Sequence, residues 1–172
     1  MNRQVTYALS VLSIAALGAC ATSTSGPSAS AALAARSGSA VSGNVVFSEA
    51  AGKLRIEATV AGLTPGEHGF HVHEAGDCSA PDATSAKGHF NPAGKMHGHY
   101  GSADHHGGDM PNLVANAQGE ARYSAEVSGL SLSGPNGVLG RSVVIHADPD
   151  DYKSQPAGNS GKRIACGVIA AR

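Results

Sequence analysis

Hydrophobic and polar positions along the chain fall into short apolar or alternating runs, with no clear helical period competing. Eight runs follow one another: 28–36, 40–48, 53–61, 67–73, 112–117, 120–128, 141–147 and 163–170. Between several of them stand Ala51-Gly52, Thr64-Pro65-Gly66, Gln118-Gly119 and Gly134-Pro135-Asn136-Gly137, whose φ-permissive or φ-fixed residues suit turns. Many short strands joined by turns predict an all-β antiparallel sandwich or barrel. The run 28–36, almost only Ala and Ser, is the weakest and reads as an insecure edge strand. Two segments, 74–111 and 148–162, are too long and too rich in Gly, Asp, Pro or His to be strands. Long irregular loops in a compact domain are usually functional, and each of these begins within two residues of a histidine, His73 or His146.

The first twenty residues depart from this pattern. Arg3 precedes an apolar, alanine-rich stretch from Val5 to Ala19, too short to span a bilayer comfortably, so 1–20 reads as an export signal. It ends Leu17-Gly18-Ala19-Cys20, which resembles the lipobox of bacterial lipoproteins. Cys20 would then be acylated, become the mature N-terminus and anchor the protein to a membrane of the cell envelope, facing the periplasm. Ala19-Cys20-Ala21 also fits the small-x-small rule for soluble secretion, so both fates stand at this point. Residues 21–27 form a small, polar, flexible linker, and 28–172 is the length of one domain with a single core. Assigning Cys20 to lipid leaves Cys78 and Cys166 as one candidate disulfide in an oxidising compartment. Across so long a loop such a bridge stabilises by about 4 kcal/mol in the chain-entropy model. With 15% charged residues and a net charge of -1, no basic stripe or acidic tail points to nucleic acid. The compositional oddity is nine His in 172 residues.

Strand geometry in Phe70-His71-Val72-His73 sends Phe70 and Val72 to one face and both imidazoles to the other. His146 ends the run Val143-Val144-Ile145-His146 and could add a third imidazole, a nitrogen-rich ligand field that suits copper. In the long loop His89, His97, His106 and Asp109 are spaced by eight, nine and three residues, with Gly at 88, 94, 98, 101, 107 and 108 letting the chain wrap. Three imidazoles and one carboxylate complete a closed tetrahedral zinc site, which would order a loop that has few apolar residues. His99 near His97, and His105 beside His106, leave the register open. The His-x-x-Asp spacing selects His106, and the distance from His89 selects His97. His68, His99 and His105 are then structural or solvent-exposed.

Five stretches match a family in order: Gly69-Phe70-His71-Val72-His73-Glu74, Gly88-His89-Phe90-Asn91-Pro92, His106-Gly107-Gly108-Asp109, Gly140-Arg141-Ser142-Val143-Val144-Ile145-His146 and Arg163-Ile164-Ala165-Cys166-Gly167-Val168. Together they resemble the copper/zinc superoxide dismutases over residues 40–170. The resemblance implies a Greek-key β-sandwich or flattened barrel of about eight strands with two long functional loops. It implies copper on His71, His73, His89 and His146, zinc on His89, His97, His106 and Asp109, and His89 bridging both metals as an imidazolate. Asp150 would bond the far nitrogens of His71 and His97 and fix their orientation. Cys78 and Cys166 would be the family's disulfide. Arg163 would receive the superoxide anion beside copper, with Lys153 and Lys162 drawing it inward.

The implied reaction is the disproportionation of superoxide to dioxygen and hydrogen peroxide by copper cycling between Cu(II) and Cu(I), with zinc structural and His89 carrying a proton to the nascent peroxide. A non-catalytic copper-binding or sequestering protein of the cell envelope would keep the copper histidines. It would need neither Arg163 nor a ligand shared by two metals. A zinc hydrolase of the metallo-β-lactamase type would need Asp and His shortly after His73, where Ala75 and Gly76 stand. A homodimer is compatible with this reading.

Overall fold

The computed structural model describes Met1 and residues 26–172; the export signal, most of the linker and Cys20 lie outside the described residues. Ten strands follow in chain order: β1 (Ser28–Ala35), β2 (Ser42–Ala50), β3 (Lys53–Ala61), β4 (Gly66–His68), β5 (Phe70–His73), β6 (Leu113–Ala115), β7 (Ala121–Val127), β8 (Ser142–His146), β9 (Arg163–Val168) and β10 (Ala170–Ala171). Among the described residues the only helical element is one 3-10 turn, Thr84–Ala86. The run 53–61 forms β3 as bounded, and two runs are divided. The first, 67–73, breaks at Gly69, whose N–H and carbonyl turn to the last loop and to His146: Gly69 donates to Asp148 O at 2.9 Å and accepts from His146 N at 2.8 Å. The second, 163–170, breaks at Ile169, which pairs with Arg141 instead.

Strands run in the order β5-β8-β9-β1-β2-β3-β7, with β10 also on β1 and β4 paired only to β6. Every strand pairing is antiparallel. The edge position expected for 28–36 is wrong, because β1 sits in the middle of the sheet. Its first part, Ser28–Leu33, pairs β2, and Ala34 and Ala35 pair β9. Changing partner part-way along one strand turns the sheet over on itself. Alanine suits the inner face of the strand before this corner, since Ala29 and Ala31 are fully buried and a larger side chain would hold the layers apart, while Ala34 and Ala35 at the corner itself are exposed. One core fills the space between the layers, with Phe47, Leu54 and Ile56 from one side and Phe70, Val72, Val143 and Ile145 from the other.

Segment 74–111 and the 148–162 loop leave this core from the ends of β5 and β8. Cys78 and Cys166 are bridged, with Cα atoms 5.7 Å apart and a sequence separation of 88, so the first loop is stapled to β9. Ala83, Ala86, Val144 and Cys166 pack a small second cluster beneath the staple. Removing the bridge with Cys166→Ser is expected to cost about 2–5 kcal/mol of stability. Denaturant titration without reductant measures this, and an unchanged midpoint would show that packing alone holds the loop.

Candidate metal centre

Strand β5 is flanked on both sides. On one, β8 pairs with it from Phe70↔Ile145 to His73↔Ser142. On the other, the long loop folds back as a makeshift strand, with Phe90 N–H donating to Val72 O at 2.8 Å and Val72 N–H to Gly108 O at 3.0 Å. Gly108 permits this approach, because a Cβ there would strike Val72 O. His73 thus lies opposite His89, and His71 opposite Asp109. Residues far apart in sequence reach one place by ordinary backbone pairing.

Two donor sets result. One nitrogen from each of His71, His73, His89 and His146 lies within 4.8 Å of all the others, and the same holds for donor atoms of His89, His97, His106 and Asp109. All seven residues are buried, and His89 belongs to both sets. The remaining ring atoms are anchored. His73 Nδ1 lies 2.9 Å from Lys87 O, and His146 Nδ1 lies 3.4 Å from Gly161 O. A carbonyl only accepts, so these Nδ1 atoms carry the protons and the Nε2 lone pairs are bare. Those two bare nitrogens face each other at 3.4 Å. Asp150 likewise takes the Nε2 hydrogens of His71, at 2.8 Å, and His97, at 3.0 Å.

His71 Nδ1, His89 Nε2 and His97 Nδ1 are consequently buried without any hydrogen-bond partner. Buried polar atoms are normally satisfied, and lone pairs turned toward one another repel. A cation between them removes both costs, so the residues present fit two metal ions: a four-nitrogen set suited to copper and a three-nitrogen, one-oxygen set suited to zinc.

Electrostatics agree with bound cations. Burial first, then the neighbouring imidazoles, pushes His73 and His146 well below the ordinary histidine value. Burial and the neighbouring His71 imidazole lower His89 to about 4, against the pull of Asp109. His97 is the exception: burial lowers it, but the Asp109 carboxylate 3.1 Å from Nδ1 and the Asp150 carboxylate bonded to Nε2 prevail and raise it to about 9. A ligand must release its proton to bind metal, so zinc uptake at His97 competes with that proton and weakens as pH falls. Both carboxylates are held well below the usual range despite burial, Asp109 by His106, His89 and His97, and Asp150 by His71 and His97.

The leftover histidines also have places. His68 is buried at 1% exposure, with Nδ1 2.9 Å from His146 O and Nε2 2.9 Å from Thr64 O, so it props the strand end that carries His146. His99 is exposed, its ring stacked on Tyr100 at 4.2 Å. Half-exposed His105 lies 2.8 Å from Ser102 O through Nδ1. Neither belongs to a donor set.

Sequence reasoning missed the residues that aim the ligands. Gln155 grips the backbone of His97 from the last loop, accepting from its N–H at 3.0 Å and donating to its carbonyl at 2.8 Å. Asp150 is steadied by Tyr152 N–H at 2.7 Å, and Tyr152 in turn accepts from Asn112 N–H at 2.8 Å. The Gln155 and Asn112 contacts leave no mark along the chain, since they form only after distant segments meet, whereas the Tyr152 N–H to Asp150 bond is a local turn.

Arg163 is paired across the sheet with His146, and its charge helps depress that imidazole. Its Nη1 donates to Ala83 O at 2.7 Å, in the loop held by the disulfide. Both residues line a cavity of about 210 Å3 beside the four-nitrogen set.

A family model described as copper/zinc superoxide dismutase matches residues 41–169. The chain belongs to this family. A superoxide dismutase (Cu-Zn) of Deinococcus radiodurans is 43% identical, with 76% of this chain and 78% of that protein covered. Superoxide dismutase (Cu-Zn) 2 of Brassica juncea is also 43% identical, covering 75% of this chain and 89% of that protein. Among solved structures, that of the clock protein EA4 superposes with a TM-score of 0.78 at 40% identity, covering 86% of this chain and 96% of the other. As a copper/zinc superoxide dismutase, the enzyme disproportionates superoxide to dioxygen and hydrogen peroxide and takes copper and zinc as cofactors. Strand β1 precedes the matched region, yet it closes the sheet that carries the site.

Proposed function

We propose that copper is held by His71, His73, His89 and His146, and zinc by His89, His97, His106 and Asp109. The observation that carries this assignment is the pair of donor sets sharing His89, with three of their nitrogens buried and unpartnered. Bound copper supplies the one-electron Cu(II)/Cu(I) cycle, and bound zinc stiffens the loop. The chain's own residues do the rest. Arg163 receives the anion in the cavity it shares with His146 and turns it toward the four-nitrogen set. His89 Nε2, which has no protein partner, carries one of the two protons that the second superoxide needs to leave as hydrogen peroxide, the other coming from solvent. Asp150 holds one oxygen on each side, so the rings of His71 and His97 keep their orientation together. Exposed Lys162 lines the cavity next to Arg163 and adds positive potential there, and exposed Lys153 adds to it from the same loop.

Metal analysis with a superoxide-consumption assay tests the assignment. Activity is expected to follow copper content, to vanish on copper removal and to return on readdition. Activity that persists without copper overturns it.

The proposal includes export and a lipid anchor at Cys20 in the cell envelope. Its support is the order of charge, apolar stretch and Leu17-Gly18-Ala19-Cys20, together with a disulfide of the kind that persists in oxidising compartments. Mass spectrometry of the mature N-terminus is expected to find acylated Cys20, and an unmodified chain starting at Thr22 would sink the anchor. A second copy of the chain is a proposed partner, for which exposed Leu139 and Val168 offer apolar surface. Light scattering at micromolar concentration decides between monomer and dimer.

A further inference from the structure

Arg163 stands in the wall between two cavities. The inner one, shared with His146, has no carboxylate in its lining. The outer one, about 230 Å3, shares Gly161 and Arg163 with the first and adds Ser37, Asp82, Thr84 and Lys162. Among the described residues, Asp82 is thus the single carboxylate lining either space.

That carboxylate is fixed in place. Asp82 Oδ1 accepts from Thr84 N–H at 3.1 Å and from Thr84 Oγ1 at 2.7 Å. The next residue, Ala83, presents its carbonyl to Arg163 at 2.7 Å. One turn therefore grips the guanidinium with a dipole and holds a full negative charge beside it. The two charges act on each other. Hydrogen bonds from Thr84, and last the Arg163 charge, keep Asp82 below the usual carboxylate range, while Asp82 opposes the effect of burial on Arg163.

A cavity that only had to attract a monoanion would be better without this carboxylate. Coulomb energy scales with the product of the charges, so a repulsion that slows a monoanion by some factor hinders a dianion by about the square of it. We propose that Asp82 is a specificity-determining residue, a fixed counter-charge that gives up part of the superoxide capture rate to keep dianions such as hydrogenphosphate away from Arg163. The inference rests on Arg163 being the group that receives superoxide.

Asp82→Asn tests it, because the amide oxygen can keep both contacts to Thr84 while the charge is lost. In the copper- and zinc-loaded protein, the second-order rate with superoxide is expected to rise about two- to threefold at low ionic strength and to fall more steeply with salt. At about pH 8, where phosphate is chiefly the dianion, affinity for inorganic phosphate should rise about four- to ninefold. Phosphate is read by inhibition and, independently of activity, by protection of Arg163 from phenylglyoxal in peptide mapping. Lys162→Gln should move both quantities the other way.

Arg163→Ala and the double variant separate the role of Arg163 from that of Asp82. If Arg163→Ala leaves the rate unchanged, the receiving role falls and this inference with it. If Arg163→Ala slows the reaction but Asp82→Asn changes neither rate nor phosphate affinity, the role of Asp82 alone is overturned. That role is equally overturned if the Asp82→Asn effect survives in the double variant, or if superoxide and phosphate gain equally.

Discussion

Replacing Gly158 by alanine is expected to weaken copper and zinc binding together, each by about 10- to 100-fold, and to lower stability by about 2–4 kcal/mol. Gly158 has φ +66°, and a Cβ there would run into Asp150 Oδ1 and lie 2.7 Å from His97 Nε2. Asp150 cannot step aside, being held by His71, His97 and Tyr152 N–H at 2.7–3.0 Å. The turn cannot swing out either, because Gly158 donates to Ser154 O at 2.7 Å and accepts from Asp151 N at 2.9 Å. The methyl group must therefore displace the one carboxylate that orients a ring on each side. Gly52→Ala is the control: its φ is +74° with nothing within 4 Å of a new Cβ, so it carries only the left-handed backbone cost of about 1 kcal/mol. Chelator competition for each metal, with thermal unfolding of both variants, provides the measurement. If Gly158→Ala behaved like Gly52→Ala, Asp150 would not be the joint between the two metal sets.

Arg163→Ala is expected to slow reaction with superoxide by about 10- to 100-fold while leaving both metals bound. A hydrogen bond to a charged group contributes about 1.5–3 kcal/mol, and each 1.36 kcal/mol is about tenfold in rate. Arg163 is no member of either donor set, so metal content should not change. The salt dependence should flatten as well, since steering by a fixed positive charge is screened as ionic strength rises. Arg163→Lys should recover charge and salt dependence but only part of the rate, because an ammonium lacks the planar fork that can bond Ala83 O and still face an anion. Stopped-flow rates across a salt series decide the matter, and a metal-loaded alanine variant with the parent rate and slope would deny Arg163 any part in capture.

Local patterns carried much of the fold and site. Alternation placed β3 at Lys53–Ala61 residue for residue, and period two paired His71 with His73, because both depend only on neighbours along the chain. Gly69 divided one predicted run, since its backbone groups bond to His146 and Asp148, a choice made by chain that arrives much later. The poor strand signal of 28–36 was misleading as to position: small residues weaken a strand in isolation but are what its tightly packed inner face, at Ala29 and Ala31, requires. His97 over His99 was arguable from spacing. In the fold His97 is turned inward by the amide of Gln155, while His99 lies on the surface against Tyr100.

The sequence by itself determined the β-rich class, the supply of imidazoles and carboxylates, and the loops that carry them, because residue type and short spacing suffice for each. Tertiary structure alone decided which nitrogens are left bare, that one carboxylate serves both rings, and that Arg163 divides a cavity free of acids from one containing Asp82. Those properties depend on where protons and charges find partners in space, and the partners here lie up to 80 residues apart along the chain.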